Sequence, residues 1–308
     1  MIHLKHVVEA QQFSRDGLLD LFIEANLMKR LVKEQGCTDT LRSKVMVVLF
    51  YQPSTRTRLS FETSMVRLGG HYVSTENALD FSSHAKGESL EDTINTVANY
   101  GDVVVLRYHQ EGGAARAAKV SSVPIINAGD GPGQHPTQAL LDIYTIQNAF
   151  QNLDGLSVAL VGDLKHGRTV HSLAYMLGKF NIRKIYLVSP ENIKMPEELT
   201  AYLTKHEIAF EECDELLAVA HDVDVVYATR VQREYFDDLA EYQATQSKYV
   251  LSDAVMGELK KESIILHPLP RNDEIPYKVD NDPRAHYFKQ VENGLYVRMA
   301  LLELLLSK

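Results

Sequence analysis

An α/β protein with two doubly wound parallel-sheet domains is predicted by three features of the sequence. Short β-branched runs alternate with longer amphipathic stretches from about position 44 onward, the order produced by parallel strands and the helices that cover them. Most of these runs are apolar nearly throughout, as strands buried on both faces must be. The 308 residues also exceed what one hydrophobic core usually organises, so two comparable domains are expected.

The elements follow in order. VMVVLFY, starting at Val45, is the first strand, and the helical stretch RLSFETSMVRLGG stops at Gly69 and Gly70. DVVVLRY and VPIINAG are the next strands. They lead to HPTQALLDIYTIQNAF, a helix with Pro136 at its first position, where the missing N–H costs nothing. The polar turn at residues 151–155 marks a domain boundary. Beyond it SVALVGD, KIYLVSP, DVVYAT and SIILHPL repeat the same strand grammar. The expected domains are residues 1–150 and 151–290, with a Leu- and Met-rich helix at 291–308 packing back on the first.

Composition excludes several classes. Apolar residues make up 45% of the chain and charged residues 24%, the balance of a soluble enzyme rather than a linker or coil. A net charge of -9 argues against nucleic acid or an anionic membrane as partner, since both reward a basic surface. The strongest apolar run, MALLELLL, is too short to span a membrane and carries Glu303. Cys37 and Cys213 are far apart and lack metal-ligand or disulfide spacing, so no metal is expected and a reducing cytoplasm fits.

The polar clusters fall where open α/β sheets bind ligands, at the carboxyl ends of predicted strands. Arg107, the loop from Gly129 to His135, Gly162-Asp163, Arg230 and His267 all lie there, and a single cleft between the domains is expected to gather them. Ser54-Thr55-Arg56-Thr57-Arg58 sits between a strand and a helix. Free N–H groups, hydroxyls and guanidiniums around one helix start form a phosphate site. The plain alternative is a Ser/Thr helix cap with solvated arginines. Residues 162–169, GDLKHGRT, come close to a nucleotide-binding P-loop, but Arg168 replaces its lysine and no second acidic strand end is evident to hold magnesium. His135 opens a helix, whose positive end disfavours imidazolium and favours a neutral, donating ring; a lone histidine is otherwise commonly structural. Thr229-Arg230-Val231-Gln232, the turn HPLPR and the loop SSHAKGE are individually weak signals, since such turns and loops are commonly mere connectors.

Taken in order, STRTR, a serine-and-lysine loop, HPTQ and an H-x-L-P turn resemble the aspartate and ornithine carbamoyltransferase family nearly end to end. The turn is HPLPR rather than the HCLP of ornithine enzymes, and the SMG signature of that branch is absent. GRTVHSL, TRVQRE and HPLPRNDE look like the aspartate branch, and Arg168 and Arg230 suit a dicarboxylate. The resemblance implies a carbamoyl phosphate-binding first domain and an aspartate-binding second. It also implies transfer of a carbamoyl group to the aspartate amine in de novo pyrimidine synthesis, with no cofactor.

Carried over to this sequence, Ser54, Thr55, Arg56, Thr57, Ser82, Lys86, Arg107, His135, Gln138, Leu269 and Pro270 would bind carbamoyl phosphate. Lys86, Arg168, Arg230 and Gln232 would bind aspartate, and Arg56, Thr57, Lys86, Arg107 and His135 would be catalytic; Arg58 looks supporting. Ser82 and Lys86 resemble loop residues that relatives lend to a neighbouring subunit, which implies a homotrimer with shared sites; a separate regulatory chain is also compatible. One position departs from the pattern: Gln52 stands where the family has glutamate or lysine, which bears on domain closure rather than on chemistry. The competing expectations are a transcarbamylase for another amino acceptor and a non-catalytic relative.

Overall fold

A computed structural model describes residues 4–231 and 248–307, apart from the side chains of Phe81, Ser83 and His84. The chain divides into two compact units, Met1–Tyr144 with Glu292–Lys308, and Thr145–Val291. In the first unit the order is α1 (Arg15–Glu34), β1 (Val45–Phe50), α2 (Thr55–Arg67), β2 (His71–Thr75), α3 (Ala78–Phe81), α4 (Leu90–Val97), β3 (Val103–Tyr108), α5 (Gly113–Val120), β4 (Ile125–Asp130) and α6 (Pro136–Phe150). The second contains β5 (Ser157–Val161), α7 (Arg168–Leu177), β6 (Lys184–Val188), α8 (Glu197–Lys205), β7 (Phe210–Cys213), α9 (Leu216–Val219), β8 (Val225–Ala228), α10 (Asp253–Glu258) and β9 (Ile264–Leu266). A last helix, α11 (Tyr287–Leu306), runs across the division near its start, as α6 does near its end.

Each unit has its own parallel sheet, so the predicted fold class of two parallel-sheet α/β domains is the observed one. The strand orders are β2-β1-β3-β4 and β7-β6-β5-β8-β9. All seven apolar runs singled out in the sequence become strands. Two strands were not anticipated, β2 and β7, and both are edge strands. β2 is exposed along its whole length and β7 is only partly covered, so neither needs the apolar run that marks a central strand.

In the first unit Val47, Leu49, Val104 and Leu106 of the sheet bury with Leu90 and Ile94 of α4 and Ala117 of α5. In the second Val161, Val226 and Ile265 bury with Leu216 of α9 and Val255 of α10. Each large aliphatic side chain buried in this way contributes about 1.5–3 kcal/mol. α2 ends where the paired glycines predict: Gly69 adopts φ +78°. The Gly69 N–H donates to Val66 O and that of Gly70 to Met65 O, both at 3.0 Å, which satisfies carbonyls the helix end would leave open. Among the described residues no helix is long and apolar enough to cross a membrane.

Both strand orders reverse once, between β1 and β3 in one sheet and between β5 and β8 in the other. At such a point the loops leaving neighbouring strands part in opposite directions and open a crevice at the carboxyl rim. In the second unit the crevice depends on Gly162, which follows β5 with φ +111°. A Cβ there would lie 2.3 Å from the Thr229 carbonyl oxygen. Gly162→Ala should therefore destabilise the chain by about 3 kcal/mol, the upper part of the range for forced overpacking. Gly155→Ala, with φ +84° and open space around it, should cost only about 1 kcal/mol. Urea midpoints of the two variants, compared with wild type, check the difference.

Candidate active site

In the first unit the expected site residues follow the carboxyl ends of its strands: Ser54 to Thr57 after β1, Ser82 and Lys86 after β2, Arg107 near the end of β3, and His135 and Gln138 after β4. β1 and β3 are in register with Phe50 opposite Arg107, and the Tyr51 N–H donates to the Arg107 carbonyl at 2.9 Å. Ser54 is the N-cap residue of α2, yet its hydroxyl makes no capping bond and the first turn of the helix holds no acidic residue. The cap reading of this serine is thus set aside. The positive end of a 13-residue helix is left with Ser54, Thr55 and the buried Thr57 around it. Arg56 has no carboxylate partner among the described residues, and partial desolvation draws its guanidinium below the usual pKa.

Arg58 has a different role. It faces Glu62 at 3.7 Å and Glu76 at 3.4 Å, while Glu76 also accepts the Ser54 N–H at 2.9 Å. Glu76, beyond the end of β2, thereby pins the start of α2 and takes up the second arginine of the motif. The Arg107 guanidinium reaches across to the end of β4, where its Nη1 donates to Ala128 O at 3.2 Å.

His135 is buried immediately before α6, and its carbonyl accepts the N–H groups of Gln138 and Ala139. Its Nδ1 lies 3.5 Å from the hydroxyl of the fully buried Thr137. The preceding loop is braced by Asp130, which accepts the N–H of Gln134 at 2.8 Å and of Gly112 at 3.1 Å. Gln138 is buried one turn into α6 and donates through Nε2 to Asp142 at 2.8 Å. Ser82 donates to the Ala78 carbonyl at 2.5 Å, and Lys86 is exposed. Lys86 makes no ion pair or hydrogen bond among the described residues.

The second unit holds the remaining expected residues. Arg168 begins α7 and is half-buried. Arg230 follows β8, directly after Thr229, whose hydroxyl donates to Val161 O at 2.8 Å. Both arginines flank the β5–β8 crevice. The Asp163 carboxylate accepts the N–H groups of Lys165 at 3.1 Å and His166 at 2.9 Å, so the donors a P-loop would turn toward phosphate are already taken. Gln232 lies outside the described residues.

Leu269 and Pro270 follow β9 in a turn held by His267. The His267 Nδ1 accepts the Leu269 N–H at 2.8 Å, so Nε2 carries the proton and donates to Glu274 at 2.9 Å. Glu274 is buried, and its Oε1 also accepts the Asn272 N–H at 3.0 Å. The roles of Glu274 and Glu76 were not read from the sequence: single acids in polar turns carry no pattern until their partners are in place. A cavity of about 560 Å³ beside the ends of β6 and β7 contains none of the expected site residues, and the lysines at it are paired, Lys194 with Glu191 and Lys248 with Asp214.

Two reversing parallel sheets with cations at their carboxyl rims define a two-domain α/β protein whose crevices are suited to small anions. The model of the aspartate/ornithine carbamoyltransferase carbamoyl-P binding domain matches residues 5–148, and that of the Asp/Orn binding domain matches residues 154–305. The chain belongs to the aspartate/ornithine carbamoyltransferase family. It is 54% identical over 304 residues to the chloroplastic aspartate carbamoyltransferase of Arabidopsis thaliana, covering 98% of this chain and 78% of the relative. The aspartate carbamoyltransferase catalytic subunit of Methanocaldococcus jannaschii is 46% identical, with 99% and 98% covered. Its crystal structure superposes with a TM-score of 0.91 at 45% identity, over 98% of each chain. Aspartate transcarbamoylase from Trypanosoma cruzi, solved with carbamoyl phosphate and aspartate, gives 0.90 at 39% identity over 97% of this chain and 94% of that one.

Burial acts to raise the Glu274 carboxyl, but the bond from His267 and those from the backbone outweigh it and hold the group below its usual pKa. A carboxyl depressed on folding contributes stability in full above its unfolded value of about 4.3. That contribution is lost as pH falls through the lower folded value. The urea midpoint of wild type should therefore fall more steeply below about pH 4.3 than that of Glu274→Gln. The two curves should converge at the acid end.

Proposed function

We propose that this chain is an aspartate carbamoyltransferase, which transfers the carbamoyl group of carbamoyl phosphate to the amine of L-aspartate and releases phosphate, a step of de novo pyrimidine synthesis. The observation that carries the reading is the start of α2: an uncapped helix end with three hydroxyl side chains and an Arg56 that has no carboxylate partner among the described residues, following the strand whose neighbour carries Arg107. Backbone N–H groups, hydroxyls and guanidinium are the complement of a phosphate dianion. Both substrates are those held by the Trypanosoma cruzi relative.

In this mechanism Ser54, Thr55, Arg56 and Thr57 hold the phosphate, with Ser82 and Lys86 completing its shell. Arg107, Thr57 and His135 donate to the carbamoyl oxygen, and Gln138, Leu269 and Pro270 contact the carbamoyl end. Arg168, Arg230 and Gln232 bind the aspartate carboxylates. The amine attacks the carbamoyl carbon and negative charge grows on the oxygen, where fixed donors stabilise it more than they stabilise the bound substrate. His135 acts as a donor. The departing phosphate accepts the amine proton, so positioning supplies much of the acceleration.

Lys86, without an ion pair or hydrogen bond among the described residues, supports a second step of the reading, a homotrimer in which Ser82 and Lys86 serve a neighbouring subunit's site. The cytoplasm is the compartment we assign, since the separate thiols Cys37 and Cys213 fit a reducing compartment; the chloroplastic names of plant relatives belong to those proteins.

A steady-state assay of the purified chain at its measured mass should show carbamoyl aspartate formed from the two substrates. No product would overturn the reading. Arg107→Ala should leave the circular dichroism unchanged and lower kcat by about 100-fold or more, the scale for losing one oxyanion donor. Lys86→Ala and Arg56→Ala should each be nearly inactive alone. Mixed under subunit exchange they should recover activity, because some interfaces then combine two intact halves; no recovery after proven exchange removes the shared site.

A further inference from the structure

Gln138 is a carboxamide, with a donor on one side and an acceptor on the other, and its two faces differ only by which way the group is turned. What turns it is Asp142, one helical turn further along α6 and fully buried. The Gln138 Nε2 lies 2.8 Å from Asp142 Oδ1. An ionised carboxylate only accepts, so it admits the amide nitrogen and rejects the amide oxygen. The Gln138 Oε1 must then point the other way, as an acceptor.

The ionised state of Asp142 needs a counter-charge, because an unpaired charge in a protein interior is strongly disfavoured. Arg298 of α11 is the buried cation to which Asp142 is attracted. Its side chain is buried, its Nη1 donates to Ser60 at 2.8 Å, and its guanidinium lies over the Phe61 ring, 5.1 Å from the centroid. Burial draws the Arg298 pKa down to about 10 while attraction to Asp142 works against that fall, so the guanidinium is still charged at neutral pH. Room for it comes from Gly294, one turn earlier on α11, where a Cβ would lie 3.0 Å from both Arg298 Nη1 and Leu141 Cδ2.

We propose that Asp142, with Arg298 behind it, is a positioning residue that fixes Gln138 as a hydrogen-bond acceptor and thereby selects the NH2 of a carbamoyl group over a methyl group of the same size. The proposal rests on the functional reading above, in which Gln138 meets the carbamoyl end. An acyl phosphate with CH3 in place of NH2 keeps every phosphate and carbonyl contact but offers nothing to an acceptor. A site built to hydrogen-bond a substrate NH discriminates against the analogue that lacks it.

Asp142→Asn replaces the obligate acceptor with a group that donates or accepts, so Gln138 is free to turn. At saturating aspartate, KM for carbamoyl phosphate should rise about tenfold, equivalent to about 1.4 kcal/mol. The inhibition constants of acetyl phosphate and inorganic phosphate should stay within about twofold, because neither ligand uses the Gln138 acceptor. A merely structural role would move all three constants together, and that result, or no change in any, overturns the proposal. Because Asp142→Asn leaves Arg298 buried without its counter-charge, the double variant Asp142→Asn/Arg298→Met provides a second test with the cation removed, and it should show the same selective loss. A wild-type chain that forms no carbamoyl aspartate overturns the functional reading and this proposal with it. An active wild type whose variants keep their preference for carbamoyl phosphate overturns the proposal alone.

Discussion

Parallel strands in one sheet all finish on the same rim, and that directional constraint organises the rest of this molecule. Helices return the chain to the far rim, so each helix begins close to where a strand has just ended. Helix amino termini, strand-end side chains and loop N–H groups are thereby collected on one side of each sheet. Four residues separate the end of β1 from the start of α2, and Arg107 stands near the end of the neighbouring strand. The same rule in the second unit sets Arg168 at the start of α7 and Arg230 just after β8. An anion-binding surface then needs only side chains of the right sign at positions the topology already supplies.

The charges of the protein divide by environment rather than by number. Pairs such as Arg116 with Glu91 or Lys184 with Glu211 lie on the surface, where solvent screening leaves each worth little. Arg298 and the His267–Glu274 pair are buried instead. Losing one member there leaves its partner uncompensated, so these groups fix geometry more firmly than they add net stability. Each is linked to residues expected to touch carbamoyl phosphate: Asp142, which attracts Arg298, accepts from Gln138, and His267 accepts from the Leu269 N–H.

The sequence revealed most where periodicity and burial coincide. β1, β3, β5 and β8 are central strands, and their apolar runs announce them; β2 and β7 border only one neighbour each and carry the polar strings HYVST and FEEC. The placement of Ser54 to Thr57 and of His135 with Gln138 around helix starts was legible, because each group falls between an apolar strand run and a helical period. Partners from distant segments were not. Nothing in the sequence couples Glu76 to Ser54, 22 residues apart, or Arg298 to Ser60, 238 apart. The i,i+4 spacing of Gln138 and Asp142 is visible in retrospect, but on an amphipathic helix it reads as an ordinary polar pair.

The uncovered edge strand β2 has a consequence for how the chain is made. Its residues His71–Thr75 present Tyr72 and Val73 to the outside, 40% and 51% exposed, along a ladder that among the described residues pairs only with β1. A bare edge is a template on which any other extended segment can add itself. For a newly synthesised chain this sets a race between correct coverage and adventitious stacking, and the outcome turns on how crowded the unassembled copies are. Soluble yield should accordingly track expression rate more closely than it tracks the folding strength of the finished protein.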